Sequence, residues 1–584
     1  REYSMKKKTL MVSLVAALIV SSAILPVSAA TTSAPVSVSN AEAASGAAVS
    51  GDVKLDETNF PDSVFREYLK TNYDKDKNNS LSQDEILAIH EIKLGYSGVT
   101  NLKGIEFLTE ITYLEVMETE ITELDVTKNT KLTLIDCSNT KITNLDLSRN
   151  TALKTLWCYS APITELDLSN NTSLGVLRAS GTAITELDLS NNKELTYLEC
   201  DSTNITELSL TNNPKLQWLI CANTKIQQLD VTHLSDLRRF EIHNTGITNL
   251  DVTKNEKLVR LDCSNTQIGN LNLENNRNLQ VLLCADTSLN QLDISKNTQL
   301  FYFDLNNTNI SNLNVDHLAD LQYLDVSGTK LETLNVENNS KLEVLQYDNT
   351  PLIELNVGNN PQLQDVIGTA LQQRLEITGG SFQLAQFFPT LDMNKVVNVT
   401  GATLTDGIVS NYLPGQPVTY SYNAGTGANG QPIYLTVTLN LMITNVWEQE
   451  ISASDMVLGE KVNVSAKPVF GDVLYVYSQQ ENGVYTADEP TAAGVWYVKA
   501  MVNGNEFLTA LESQPVAFNV TQPDGAPENS NHDSNHDSGN QDMVNNVKTG
   551  DETTVGLLAS VFAVSVGVLA SLKVLKKKKK SDKI

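Results

Sequence analysis

Six cysteines and six histidines are the side chains of this 584-residue chain best suited to nucleophilic, acid–base or soft-metal chemistry. Their spacing is therefore the first guide to function. Cys137, Cys158, Cys200, Cys221, Cys263 and Cys284 lie one or two periods apart in a repeating pattern. They share one position of that pattern with Ala179, Ile242, Leu305 and Val326, which marks it as an inward, apolar site. Cysteine serves there as a small hydrophobe. The cysteines form three pairs on adjacent units, but in-register parallel neighbours present their side chains side by side, a poor geometry for the disulfide torsion. Free, buried thiols are predicted. His90, His233, His243, His317, His532 and His536 have no motif partner, and there is no His-Glu-x-x-His, nucleophile elbow or phosphate loop. Columns of Asp and Glu recur too regularly for a catalytic pair and read as solvated edges. No enzyme is predicted.

The element that positions these residues is a repeat. From Ile121 to Gln372 the sequence consists of twelve 21-residue copies without insertion. Positions 4 and 12 are leucine in every copy, and position 6 is Val, Leu or Ile. A 22-residue unit, Val99–Glu120, begins the stack. Such strict periodicity means a solenoid, because each unit buries its apolar side chains only against its neighbours. Two Leu-x-apolar segments per turn, without helical spacing, predict a flattened coil with two parallel sheets. Asparagine fills position 9 in ten copies, Leu234 and Leu318 being the exceptions, and is predicted to satisfy turn amides that no sheet reaches. Threonine fills position 20 in ten copies and could serve the opposite turn. Residues 132–142 fit the pattern LxxLxLxxNxL, with Thr140 at the asparagine position. From 99 to 372 the array resembles the short, irregular 21-residue leucine-rich repeats of bacterial surface proteins. The implied fold class is mainly β: a leucine-rich-repeat solenoid with a small helical N-terminal cap and a C-terminal β-sandwich.

Comparison between copies separates two faces. Positions 3, 5 and 7 are monotonous, running through Glu/Asn/Gln, then Asp/Asn, then mostly Ser/Thr. Positions 14, 16 and 18 are diverse and carry Trp157, Tyr159, Arg178, Tyr197, Trp218, Arg239, His243, Arg260, Tyr302 and Tyr323. Aromatic and arginine side chains dominate interface hot spots because they bury large areas and keep a polar handle. The diverse face is the expected ligand-binding face, and its ligand is a protein or a glycan. Strand exteriors also favour Tyr and Trp by propensity alone, so the alternative is a passive spacer without a specific ligand.

Residues 51–98 form the expected helical cap. Between helical patterns at 60–73 and 83–92 lies a loop that resembles an EF-hand calcium site. That resemblance implies side-chain oxygens from Asp74, Asp76 and Asn78, the carbonyl of Ser80, a hydroxyl or bridging water at Ser82, and both carboxylate oxygens of Glu85. Asn79 replaces the usual glycine, which is tolerable because asparagine accepts positive φ. The alternative is a metal-free acidic turn. After the solenoid (99–372), residues 373–443 read as a closing β cap. Residues 444–521 have alternating strands and resemble an immunoglobulin-like module, and polar residues 522–545 read as a flexible linker.

The formal charge is −27, although residues 1–30 carry +3 and residues 573–584 carry +6. So acidic a body excludes nucleic acid as a partner. Residues 1–29 read as an export signal: Lys6–Lys8, an apolar run from Leu10 to Leu25, then small residues to Ala29. At the other end, Thr549 and Gly550 precede an apolar run from Val555 to Leu572 and a lysine-rich tail. Residues 546–584 resemble the sorting signal of Gram-positive surface proteins, which implies a sortase cut between Thr549 and Gly550 and transfer to peptidoglycan. Asn546 and Val547 stand where that motif has Leu-Pro. A plain membrane anchor through the same apolar span is the alternative. Taken together, the expectation is an extracellular, wall-anchored binding protein.

Overall fold

The computed structural model describes residues 51–369, 371–428 and 430–523. The export signal, most of the linker, Thr549, Gly550 and the apolar span at 555–572 lie outside the described residues. Among the described residues, no helix is long and apolar enough to cross a membrane.

The chain enters through a small cap. Asp62 caps the helix Ser63–Asn72 by accepting from Val64 N and Phe65 N, and the helix buries Phe65 and Leu69. The other oxygen of Asp62 accepts from the backbone and hydroxyl of Thr100 at 2.8 and 2.9 Å, tying the helix to the first coil. A capping box between Ser82 and Glu85 starts the short helix Gln83–Leu87.

One parallel sheet of fourteen three-residue strands then runs the length of the solenoid, from Glu91–Lys93 to Asp365–Ile367. It begins inside the cap, where Glu91–Lys93 pairs with Tyr113–Glu115. In the twelve repeats these strands occupy positions 14–16, in exact coil-to-coil register (for example Arg239↔Arg260 and Glu241↔Asp262). The middle residue of each strand points inward, from Ile135 through Leu156 to Leu345, all fully buried. The parallel-sheet leucine-rich-repeat solenoid read from the periodicity is therefore the fold.

The second sheet is confined to one end. Only Thr333–Asn335 and Glu354–Asn356 pair on the opposite side. Among the described residues, positions 3–6 of the other coils make no strand. Asp or Asn at position 5 accepts the amide of position 7 in eleven of twelve coils, as at Asp146–Ser148, Asp188–Ser190 and Asp293–Ser295, each at 2.9 Å. The two coils that pair make the same turn, at Asn335–Glu337 and Asn356–Gly358, so it coexists with the ladder. A groove of about 950 Å³ opens between coils on this side, lined in part by Glu207, Leu208, Lys225 and Gln227. The monotony of positions 5 and 7 thus has a structural cause.

The ten position-9 asparagines are completely buried and form a ladder, but they serve carbonyls instead of the expected amides. Asn150 Nδ2 donates to Val126 O at 3.1 Å and to Asn129 O at 3.0 Å, and its neighbours repeat this bond for bond. The turn amides are already paired within the coil, for example Asn150 N to Leu147 O. The same carbonyls take those amides, Val126 O from Asn129 N and Asn129 O from Leu132 N, and the ladder gives each a second donor from the next coil. Where position 9 is leucine, position 8 is histidine: His233 Nε2 lies 2.8 Å from Leu210 O, and His317 Nε2 lies 2.9 Å from Ile294 O. Each histidine reaches the carbonyl that the missing asparagine would have taken. At the other turn, Thr140 Oγ1 donates to Cys137 O at 2.7 Å, a bond repeated in most coils. Position 19 between them is left-handed, with φ from 52° at Asn139 to 68° at Gly328, and is held by Asn, Ser, Asp or Gly.

All six cysteines are free and buried. Burial pushes every thiol up, those of Cys158 and Cys221 to about 12, so none is a thiolate at neutral pH.

Beyond the last coil the chain forms a sheet in the order Gly358–Asn359, Val418–Thr426, Pro432–Thr444, Leu371–Thr378, with Val396–Thr400 added on Val418–Thr426. Leu371–Thr378 pairs with Val437–Thr444 in parallel over eight residues. A further β module follows, comprising the hairpin Trp447–Ala453/Val464–Pro468 and a sheet built on Gly494–Val502, around Met456, Tyr477, Val498 and Phe518. Buried Asn445 joins the two units. Its Nδ2 donates to Phe470 O at 2.9 Å, and its Oδ1 accepts from Phe470 N at 3.2 Å.

Candidate ligand-binding face and cation loop

The outward residues of each strand, positions 14 and 16, stand beside their counterparts one coil away, about 4.8 Å distant in a parallel sheet. Side chains at one position of adjacent coils therefore touch, and most of the predicted face residues join into one array. The Arg178 guanidinium lies 4.9 Å from the Tyr159 ring centroid and 5.8 Å from that of Trp157. Its Nε donates to Glu199 Oε2 at 2.7 Å, and Tyr197 OH donates to the same oxygen at 2.8 Å. Tyr197 stacks on Trp218 at 5.5 Å, and Arg239 lies 5.2 Å over Trp218. Arg239 and Arg260 then converge on Glu241 Oε1 at 2.7 and 2.6 Å. His243 Nδ1 is 3.2 Å from Asp262 Oδ2, and its Nε2 is 3.4 Å from Asn223 Nδ2.

The electrostatics follow from these contacts. Burial would raise the Glu199 carboxyl, but hydrogen bonds from Arg178, Tyr197 and Ser180 outweigh it and hold the group below the usual range. The hydrogen bond to Asp262 raises His243 above its ordinary value. Alternating ring, cation and carboxylate fixes long side chains before any ligand arrives, which lowers the ordering cost of binding.

Tyr302 and Tyr323 stand apart from this array, across the strand Val281–Leu283. They stack face to face at 4.2 Å and 4°. Residue chemistry alone missed the carboxylates of this face, Glu199, Glu241, Asp262, Asp304 and Asp325. The signal was present at position 16, but an acidic residue becomes part of a face only through its neighbour one coil away.

Glu241, His243 and Asp262 offer ligand atoms within 4.8 Å of one another, as do Asp74, Asp76 and Glu85 in the cap. The first set is poorly suited to a cation, since two guanidiniums already neutralise Glu241. The second has better chemistry, with three hard oxygen donors and no bound base. Asp74 Oδ2 accepts from Asn79 N at 2.9 Å, and Asn78 Oδ1 accepts from Ser80 N at 2.7 Å. Glu85 Oε1 accepts from Lys75 N at 2.6 Å, and its Oε2 accepts from Ser82 N and Oγ at 2.8 Å. Asn79 has φ 65°, the backbone state required where a loop of this kind normally has glycine. Leu81 is fully buried, and Ser80–Leu81 pairs with Val53–Lys54, which anchors the loop.

No protein-family model matches the chain, and no curated protein matches its sequence. Among solved structures, it is similar to the functional domain of InlJ from Listeria monocytogenes, described as including a cysteine ladder. The two share 26% identity over 67% of this chain and 98% of that one, with a TM-score of 0.52. An internalin, InlF, from the same organism is similar in fold at 21% identity, covering 54% of this chain and 97% of that one, with a TM-score of 0.51. In architecture, then, this chain is similar to Listeria internalins, with a parallel-sheet solenoid that makes one turn per repeat.

Proposed function

We propose that this is a cell-surface binding protein that presents its long parallel sheet to a protein or glycan ligand. The observation that carries this reading is the contrast between faces. On the sheet, variable aromatic and arginine residues interlock from Trp157 to Arg260. On the opposite side, a monotonous column of Asp and Asn is occupied in turns. Replacing Trp218 and Arg239 together with alanine should remove most adherence of the chain to immobilised extracellular proteins and glycans. Glu165→Gln, on the opposite side, should leave it unchanged. Equal adherence by both variants and the parent would favour the passive spacer.

Two accessory properties belong to the same reading. Calcium binds the loop of Asp74, Asp76, Asn78, Ser80, Ser82 and Glu85 in a structural role, supported by the convergence of three carboxylates. Calorimetry should detect calcium binding, and the metal should raise the melting temperature by mass action. Asp74→Asn with Glu85→Gln should abolish both effects. A sortase joins Thr549 to peptidoglycan, supported by the order of Thr-Gly, apolar run and lysines. Wall fragments should yield a peptide ending at Thr549. Recovery of intact 550–584 in the membrane fraction of sortase-competent cells would establish the plain anchor instead.

A further inference from the structure

The sheet behind the last coil ends on a long, half-paired strand. Leu371–Thr378 bonds to Pro432–Thr444 on one side and to no strand on the other. At eight residues it exceeds the usual length of about five or six, and its ladder has no bulge. It contains no proline, lysine or glycine to blunt the edge. The first edge of the long sheet is closed by side chains: Tyr73 OH donates to Glu91 O at 2.7 Å, and Lys93 N donates to Tyr68 OH at 3.0 Å. Among the described residues, no hydrogen bond reaches the free edge of Leu371–Thr378. In a parallel pair, alternate residues turn both main-chain groups toward the same neighbour. Gly379 N donates to Thr444 O, whereas Ile443 N and O bond to Phe507 and Thr509 on the far side of Pro432–Thr444. These bonds set the phase, so Gln373, Leu375 and Ile377 serve the ladder. The amides and carbonyls of Gln372, Arg374, Glu376 and Thr378 face the open edge. Their side chains are exposed, while Leu375 and Ile377 are buried. Among the described residues, the side chains of Arg374 and Glu376 have no hydrogen bond or ion pair.

We propose that Leu371–Thr378 pairs antiparallel with the same strand of a second copy of this chain, about a twofold axis at Leu375. Arg374 of each copy then stands opposite Glu376 of the other, and Gln372 opposite Thr378. All four residues have their main-chain groups turned to the edge, so roughly eight main-chain hydrogen bonds join the copies. The charges select this register. Sliding one strand by two residues sets Arg374 against Arg374 or Glu376 against Glu376, and like charges directly opposite are destabilising. Parallel pairing in register makes the same mismatch. Sliding by one residue brings ladder-facing residues to the joint, where their amides are already used. An edge with one positive and one negative charge two residues apart is complementary to itself when reversed, which favours a second copy over a strand of single charge sign. On the reading that the long sheet recognises a ligand, the dimer holds two such faces and raises avidity for a ligand with repeated sites.

Sedimentation equilibrium of the full chain in density-matched detergent tests this without any ligand. The parent should show a reversible monomer–dimer equilibrium. Arg374→Glu and Glu376→Arg, each alone, should raise the dimer dissociation constant about tenfold or more, because two attractive pairs become repulsive. The double change R374E/E376R restores opposite charges and should return the parent's value. Cross-linking checks the register: under mild oxidation, a mixture of R374C and E376C chains should form a disulfide-linked dimer faster than either variant alone. A parent that stays monomeric, single variants that dimerise like the parent, a double variant that stays weak, or cross-linking of one variant alone as fast as the mixture overturns the proposal. Association through the apolar run at 555–572 would ignore the charge changes and so counts against it. A dimer that fails to adhere to any ligand sinks only the recognition reading, and adherence by a chain that is monomeric sinks only this one.

Discussion

Replacing Asn171 with leucine would copy into the third repeat what coils six and ten already carry at position 9. Asn171 is fully buried, and its Nδ2 donates to Leu147 O at 3.1 Å and to Asn150 O at 2.9 Å. Leucine fills the space but removes the second donor from two buried carbonyls, each of which keeps one backbone amide, Leu147 O from Asn150 N and Asn150 O from Leu153 N, so the loss is that of two ordinary hydrogen bonds at about 0.5–1.5 kcal/mol each. Allowing for apolar volume regained, the net loss should be ~1–2 kcal/mol. Coils six and ten add a histidine at position 8, which restores one of the two bonds. Asn170→His combined with Asn171→Leu should therefore recover about 1 kcal/mol relative to Asn171→Leu alone. Urea unfolding of the solenoid, followed by far-ultraviolet circular dichroism and by Trp157 and Trp218 fluorescence, measures all three proteins. If N171L unfolds at the parent's midpoint, or if the added histidine recovers nothing, the account of the ladder is wrong.

Three further outcomes are expected. Asp304 has its folded value raised above the ordinary carboxylate range, so the folded state binds more proton and the contribution of this group to stability falls as pH rises from about 4 to about 7; thermal melts should show D304N more stable than the parent above that window and the difference vanishing below it. Asp146, Asp167, Asp188 and Asp293 are held below the usual range by hydrogen bonds from the residue two positions on, so they stabilise the fold above the unfolded carboxylate value and this is lost as pH falls through their depressed values; four serine-to-alanine changes at 148, 169, 190 and 295 should make acid unfolding begin at higher pH. Thiol reagents should label none of the six cysteines in the folded chain and all six after denaturation without reductant; fewer than six would mean that disulfides form.

The solenoid was legible because its causes are local and repeated: an inward leucine at the same place in every copy leaves few alternatives. The extent of pairing on the second side was not. Its Leu-x-apolar segments look alike in every copy, and the two that pair, Thr333–Asn335 and Glu354–Asn356, carry the same position-5 turn as the unpaired Asp146–Ser148. The left-handed position 19 was equally visible as a column of Asn, Ser, Asp and Gly, yet it has no apolar period to draw notice. Aromatic and arginine residues of the face stand out by type. Glu199, Glu241 and Asp304 do not, because an acidic chain is full of carboxylates and their roles depend on residues one coil away.

The joint behind the last coil has a mechanical consequence. The solenoid feeds into the start of Leu371–Thr378, and the C-terminal module leaves from the end of Pro432–Thr444. These strands run parallel with eight residues in register, so tension between the two units acts on opposite ends of the pair. The load is then shear, shared by many hydrogen bonds at once, instead of peeling them one by one. Val396–Thr400 and Val418–Thr426 lie between the two strands in sequence and are hydrogen-bonded into the same sheet, so their length is released only when that sheet opens. A pull along the chain should reach the solenoid through a stiff connection, and the first rupture in a force trace should be abrupt.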